Sequence, residues 1–174
     1  MNYTLGLASG FFKEPTAEKW RAAAATGFTD AELDFPWTLP FEDMPGHALQ
    51  RYAILREAGV AVSSVHLPFG WMWDPSGLDP AHREDVLRRF EVLLDWTGAQ
   101  GIPLAVLHAS WEYIPPADRP ARLETAIDSI ETLGAYAKAR GVSLAIENLP
   151  RTCLGNTPPK PSRWPGARRA SVLT

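Results

Sequence analysis

The hydrophobic positions of this chain form five short apolar runs, and longer segments with helical periodicity separate them. Each run is mostly continuous rather than strictly alternating, which is typical of strands buried on both faces of a parallel sheet. The pattern therefore indicates an α/β protein in which helices cover a parallel sheet. We predict strands over residues 3–7, 29–33, 61–66, 104–108 and 142–147.

Glycine follows each segment of helical spacing, as it commonly does directly after a helix. We predict helices over residues 15–25, 46–58 and 121–139, and a further one from Pro80 to just before Gly101. The repeated alternation indicates five βα units in roughly 157 residues, whereas the eight units of a (β/α)8 barrel need roughly 250. We therefore predict a partial (β/α)8 TIM barrel with about five parallel strands and covering helices.

The composition changes abruptly near residue 157. Residues 158–174 contain four prolines, four basic residues and no acidic residue, and they have neither a helical nor an alternating period. We divide the chain into the N-terminal part of a barrel, 1–157, and a Pro/Arg-rich tail, 158–174. The tail is either disordered or the product of an interrupted reading frame, and the loss of acidic residues favours interruption.

The charge distribution limits the classes of partner. Residues 1–157 carry a net charge of −7, which makes them a poor electrostatic match for nucleic acid. The sequence contains no run of eighteen apolar residues and no signal peptide, so we expect no membrane partner and a cytoplasmic location. The single cysteine, Cys153, excludes a Cys-based zinc site and fits a reducing compartment.

Three of the apolar runs end in a residue that can bind a metal. These residues are His66, His108 and Glu147, separated by 42 and 39 residues, or about one βα unit each. Because catalytic groups of parallel α/β barrels lie where strands end, we expect the three side chains to converge on one rim. Two imidazoles and a carboxylate are suitable ligands for a divalent metal beside a polar substrate.

The segments around these residues resemble strands three, four and five of the xylose isomerase-like barrel superfamily. That superfamily includes sugar phosphate isomerases and epimerases and the endonuclease IV type of abasic-site nuclease. A Gly-Phe stretch followed by Glu-Leu, residues 27–33, is similar to its second strand. The three segments are Val65-His66-Leu67-Pro68-Phe69, Val106-Leu107-His108-Ala109-Ser110 and Ala145-Ile146-Glu147-Asn148-Leu149-Pro150.

The resemblance implies roles for several side chains. Glu147 would be the first ligand of Mn²⁺, Mg²⁺ or Zn²⁺ and also the catalytic acid/base, although a structural salt bridge is the alternative. His66 and His108 would contact substrate hydroxyls or, as in the nuclease branch, bind zinc. For substrate binding we add Glu32, expected at the end of strand two, and Asn148. Trp71 and Trp111, in loops on the same rim, suit the apolar faces of a sugar or cap the core.

The leading functional hypothesis is a sugar or sugar phosphate isomerase/epimerase that uses metal-assisted proton transfer. The resemblance places a second carboxylate on strand eight, so we expect a full catalytic cycle to be impaired, and whether the chain is an enzyme stays open. The alternatives are a zinc-dependent abasic-site endonuclease and a non-catalytic fragment or binding module. Unpaired apolar edge strands predict self-association.

Overall fold

The computed structural model describes residues 4–155, which form one five-stranded parallel sheet in the order β1-β2-β3-β4-β5. The strands are β1 (Leu5–Ala8), β2 (Phe28–Asp34), β3 (Ala61–His66), β4 (Leu104–His108) and β5 (Ser143–Glu147). The helices that follow the first four strands are α1 (Ala17–Ala25), α2 (Met44–Ala58), α3 (Pro80–Ala99) and α4 (Arg119–Lys138). The prediction of a partial TIM barrel with five parallel strands is confirmed.

Short 3-10 helices interrupt three of the loops after the strands. They span Ser9–Phe11, Phe41–Asp43 and Trp71–Trp73. The predicted bounds of β3 and β4 agree with the structure, but β2 extends by one residue at each end. α2 and α4 begin two residues earlier than predicted, because a proline occupies the first turn of each helix, where its missing N–H is tolerated.

Residues along the strands alternate between two faces of the sheet. Ala31, Leu33, Val65, Ala105 and Leu107 are fully buried, and they face the helices that form the main core. This burial of aliphatic side chains is the principal stabilising term of the fold. The opposite face is called the inner face here, because it would line the interior of a closed barrel.

The register of the sheet places polar residues side by side on the inner face. Glu32 is opposite Ser64, and Asp34 is opposite His66. His108 is likewise opposite Glu147 on the last two strands. Residues in register on parallel strands point to the same side, so the carboxyl ends of β2 to β5 present one polar rim.

Two predictions concern features beyond the sheet. The predicted tail, 158–174, lies outside the described residues, as does Tyr3 at the start of the first predicted strand. Within residues 4–155, every helix is too short or too polar to cross a membrane.

Candidate metal and sugar site

His66, His108 and Glu147 meet at the rim of the sheet. Each is the last residue of its strand, β3, β4 and β5 respectively. Glu147 Oε2 lies 3.1 Å from His66 Nε2 and 3.0 Å from His108 Nε2. One ligand atom from each residue lies within 4.8 Å of the other two. The structure thus brings together the three side chains that strand spacing predicts to converge, and we call them the His-His-Glu cluster.

The hydrogen bond at the far side of the His66 ring determines its tautomer. His66 Nδ1 lies 2.8 Å from the carbonyl oxygen of Leu67, which can only accept, so Nδ1 carries a proton. In a neutral imidazole, Nε2 then holds a lone pair, and that lone pair faces the carboxylate oxygen of Glu147. Two acceptors at 3.1 Å need a proton or a metal cation between them.

His108 is the more deeply buried of the two imidazoles, with a side chain 12% exposed. Burial, and then the neighbouring His66, lower the pKa of His108 below its usual value, against the opposing effect of Glu147. The lowered pKa favours the neutral ring, which is the form that binds metals. Its buried Nδ1 has no hydrogen-bond partner among residues 4–155.

The donor set of the cluster fits a divalent cation. It offers two imidazole nitrogens and a carboxylate oxygen, a combination found in catalytic zinc and manganese sites. The carbonyl of Leu67 supplies the supporting hydrogen bond that orients a metal-binding histidine in many such sites. The fit rests on His66 Nε2 and Glu147 Oε2, two acceptors that face each other and that a cation would satisfy.

An aromatic side chain that sequence reasoning missed connects the cluster to its surroundings. Phe69 stacks on His108 with ring centroids 4.6 Å apart and contacts the His66 ring edge-on at 5.6 Å. It also stacks with Trp111 at 6.0 Å. The sequence signal that could have pointed to Phe69 is the aromatic-rich loop after β3. Residue types alone do not reveal which ring of that loop lies against the histidines.

A groove of about 420 Å³ lies beside the cluster, and Phe69 forms part of its wall. Trp71 and Trp111, the two tryptophans predicted to bind substrate, both line it. Trp71 is 69% exposed, so its ring faces solvent rather than the core. Six of the eight lining residues are large and apolar: Trp37, Phe69, Trp71, Met72, Trp73 and Trp111.

The loop that carries Trp71 is held in place on both sides. His82 Nε2 lies 3.2 Å from the Trp71 carbonyl oxygen, and the two rings stack with planes 14° apart. Beyond Trp73, the buried carboxylate of Asp74 pairs with Arg122 of α4 at 2.5 Å. Ser76 donates to the same carboxylate through its N–H and its hydroxyl. The groove wall is therefore preorganised.

The other two predicted substrate-binding residues, Glu32 and Asn148, are not among the residues that line the groove. Glu32 was expected at the end of strand two, but β2 continues to Asp34, so Glu32 lies two residues inside the strand. There it accepts a hydrogen bond of 2.9 Å from the Ser64 hydroxyl. Asp34 occupies the rim and accepts from the Ser9 hydroxyl. Asn148 directly follows β5 and is exposed.

Comparison with solved structures places this geometry in a known fold. D-psicose 3-epimerase from Clostridium cellulolyticum H10, crystallised with D-tagatose, superposes with a TM-score of 0.65 at 17% identity, over 86% of this chain and 54% of that one. The 3-keto-D-glucoside 4-epimerase of E. coli superposes with a TM-score of 0.67 at 22% identity, over 87% and 58%. A magnesium complex of a xylose isomerase-like TIM barrel protein from Mycobacterium smegmatis gives 0.57 at 16%, over 86% and 56%.

These likenesses establish the fold, and this chain spans little more than half the length of each of the three proteins. A comparison with curated protein sequences finds no match. The sequence profile of the xylose isomerase-like TIM barrel matches residues 20–163, which is most of the chain. The chain therefore belongs to the xylose isomerase-like TIM barrel family.

Proposed function

We propose that this chain is a sugar isomerase/epimerase-like protein that acts on a keto or aldo sugar by metal-assisted proton transfer. The observation that carries the proposal is the His-His-Glu cluster, whose ligand atoms lie within 4.8 Å of one another at the rim where barrel enzymes bind substrates. Membership of the family supports it, as do structural relatives that are named as sugar epimerases. The expected location is the cytoplasm.

Glu147, with His66 and His108 beside it, would hold the metal ion, which we propose to be Mn²⁺, Mg²⁺ or Zn²⁺. When bound, a divalent ion polarises adjacent carbonyl and hydroxyl oxygens of a sugar and thereby acidifies the neighbouring C–H bond. The carboxylate of Glu147 is 38% exposed, so a sugar on the inner face can reach it.

In the proposed reaction, Glu147 removes the proton from the carbon next to the carbonyl group. If Glu147 alone among the three holds the metal, His66 and His108 would instead contact the sugar hydroxyls. Glu32, two residues inside β2, and Asn148, directly after β5, are further candidates for hydrogen bonds to the substrate. Epimerisation also needs an acid that returns the proton to the opposite face of the carbon, and the family resemblance places that group on strand eight. Exchange of the proton at this carbon therefore reports the step assigned to Glu147 separately from the return of the proton.

A deuterium exchange experiment tests the proposal at this single step. D-Fructose is incubated with the full 174-residue chain and Mn²⁺ in D₂O, and ¹H NMR follows the loss of the C3 proton. Isothermal titration calorimetry measures Mn²⁺ binding in parallel. We expect one Mn²⁺ per chain, with metal-dependent exchange. Glu147→Gln should weaken both by at least about tenfold, because it removes a charged ligand and the base.

Glu131→Gln is the matched control, because Glu131 is an exposed carboxylate on α4. The control should bind and exchange like the unaltered chain. Exchange that persists in Glu147→Gln would contradict the role of Glu147. Absence of metal binding would contradict the proposal as a whole and favour a non-catalytic fragment or binding module.

A zinc-dependent abasic-site endonuclease is the second candidate. The specific observation in its favour is the pairing of two histidines with one glutamate, since the family resemblance links such a set to zinc in the nuclease branch. The net charge of −7 over residues 1–157 opposes it, because nucleic acid binding depends on neutralising phosphates. Zinc-dependent cleavage of a duplex with one abasic site would decide in its favour.

A further inference from the structure

The groove beside the His-His-Glu cluster is apolar and carries no charged side chain. Among the described residues, none of the eight that line it is Asp, Glu, Lys, Arg or His. We propose that this groove holds a second, uncharged ring joined to the reacting sugar, so that the preferred substrates are neutral glycosides that keep a carbonyl group, rather than sugar phosphates. The inference rests on the proposed function for the position of the reacting sugar.

The groove and the cluster share Phe69 as a common wall. The Phe69 ring stacks on His108 of the cluster, with centroids 4.6 Å apart, and on Trp111 of the groove, with centroids 6.0 Å apart. A sugar held at the His-His-Glu cluster therefore lies next to the groove. A ring joined to that sugar by a glycosidic bond would continue directly into it.

The shape and chemistry of the groove suit a flat ring. Its volume of about 420 Å³ is within the usual range of small-molecule pockets, about 300–1,000 Å³. Trp37 and Trp71 are 54% and 69% exposed, so both rings offer free apolar area. Sugar C–H faces and aromatic aglycones both pack well on such rings, while the ring edges and hydroxyls stay in water.

The groove lining offers a phosphate group no cation, and Arg89, which lies 5.7 Å from the Trp73 ring centroid, is paired with Asp85. Binding of a phosphate normally uses arginine, lysine or the N–H groups at a helix start, and the lining residues include no cation. Asp30, Glu32 and Asp34 alternate with the buried Ala31 and Leu33 on β2, so these three acids share the inner face with Glu147. A phosphate dianion would meet an acidic surface there.

The exposed ring of Trp71 is also held by its neighbours, which reduces the entropic cost of binding. Trp71 stacks on His82, and the buried pair of Asp74 and Arg122 fixes the loop just beyond it. Trp73 lies beneath the groove, is 5% exposed and contacts Phe90 of α3 at 5.5 Å. The aromatic surface is therefore preformed rather than assembled by the ligand.

Calorimetry with three defined sugars tests the proposal on the full chain. The probes are phenyl β-D-glucopyranoside, methyl β-D-glucopyranoside and D-glucose 6-phosphate. Each sugar is titrated into the protein in the presence of Mn²⁺, and again in the presence of EDTA. We expect the phenyl glycoside to bind about tenfold more tightly than the methyl glycoside, and the phosphate to bind most weakly. Trp71→Ala and Trp37→Ala should each reduce this phenyl preference severalfold.

Phe11→Ala is the matched control, because Phe11 is 66% exposed and does not line the groove. The control should keep the phenyl preference. Four outcomes would overturn the inference. They are equal affinity for the two glycosides, tighter binding of D-glucose 6-phosphate than of the glycosides, no binding of either glycoside, and a phenyl preference that survives both tryptophan substitutions. Metal binding and proton exchange without a phenyl preference would overturn this inference alone, whereas a phenyl preference without metal binding would overturn the proposed function alone.

Discussion

The Phe69 ring lies flat against the His108 imidazole, with centroids 4.6 Å apart and planes inclined by 21°. Burial is the largest cause of the lowered pKa of His108, and Phe69 covers one face of the His108 imidazole. We predict that Phe69→Ala raises this pKa toward the ordinary value of 6.5. An NMR titration of the His108 ring protons in EDTA measures it. Phe11→Ala should leave the titration unchanged, and an unaltered His108 pKa in Phe69→Ala would contradict the prediction.

The buried pair of Asp74 and Arg122 should be far more sensitive to mutation than an exposed pair. Their side chains are 9% and 15% exposed, so Arg122→Leu leaves a buried carboxylate uncompensated. We expect a loss of about 3–5 kcal/mol in the free energy of unfolding, measured with urea. Arg21→Leu breaks the exposed pair with Glu57 and should cost less than about 1 kcal/mol.

A double variant distinguishes an unpaired charge from lost packing at this position. Asp74→Leu combined with Arg122→Leu removes both charges, so it should recover part of the stability lost in Arg122→Leu alone. A double variant that is less stable than Arg122→Leu would indicate that packing, and not the stranded carboxylate, dominates.

His47 of α2 should make the folded chain less stable in mild acid. Burial, and then Arg51, lower the pKa of His47 below 6.5, while Asp34 opposes them. The unfolded chain therefore binds the proton first, so stability is lost as the pH falls below about 6.5 toward the folded-state pKa. His47→Gln keeps an acceptor for Arg51, which donates to His47 at 3.2 Å.

Urea unfolding in EDTA at about pH 7 and about pH 5.5 measures this effect. The difference in unfolding free energy between the two pH values should be smaller for His47→Gln than for the unaltered chain. Equal differences would show that other groups, such as His108, account for the acid sensitivity.

The edge strands should make the chain self-associate. Among the described residues, β1 pairs with β2 alone and β5 with β4 alone, so each has one unpaired edge. Leu5 on β1 is also 56% exposed. We predict concentration-dependent association by light scattering, which Leu5→Lys should reduce because a charged edge residue opposes strand pairing. Leu49→Lys, at a 51% exposed position on α2, should not reduce it.

The parts of the fold that could be predicted are those with local signals. β3 and β4 are apolar runs that follow a glycine turn and end in histidine, so their bounds were predicted correctly. β2 was predicted too short, because Asp34 reads as a loop residue. It belongs to the strand because it pairs with His66 of β3, 32 residues later, and its carboxylate accepts from Ser9, 25 residues earlier. A contact at that separation has no signature in local periodicity.

The same distinction applies to the site. The convergence of His66, His108 and Glu147 could be predicted because parallel strands bring their carboxyl ends to one edge. The position of Phe69 could not, since it depends on how the loop after β3 folds back over His108. The hydrogen bond from Ser64 to Glu32 likewise depends on the register of β2 and β3, which residue spacing does not determine.

The strand order has a consequence for how the chain is made. Because every strand after the first pairs with the strand that precedes it in the sequence, the partner strand of each βα unit has already been synthesised when that unit leaves the ribosome. The His-His-Glu cluster draws on the third, fourth and fifth strands, and its carboxylate arrives last. During synthesis, the residues of the two imidazoles and of the aromatic wall therefore leave the ribosome before Glu147.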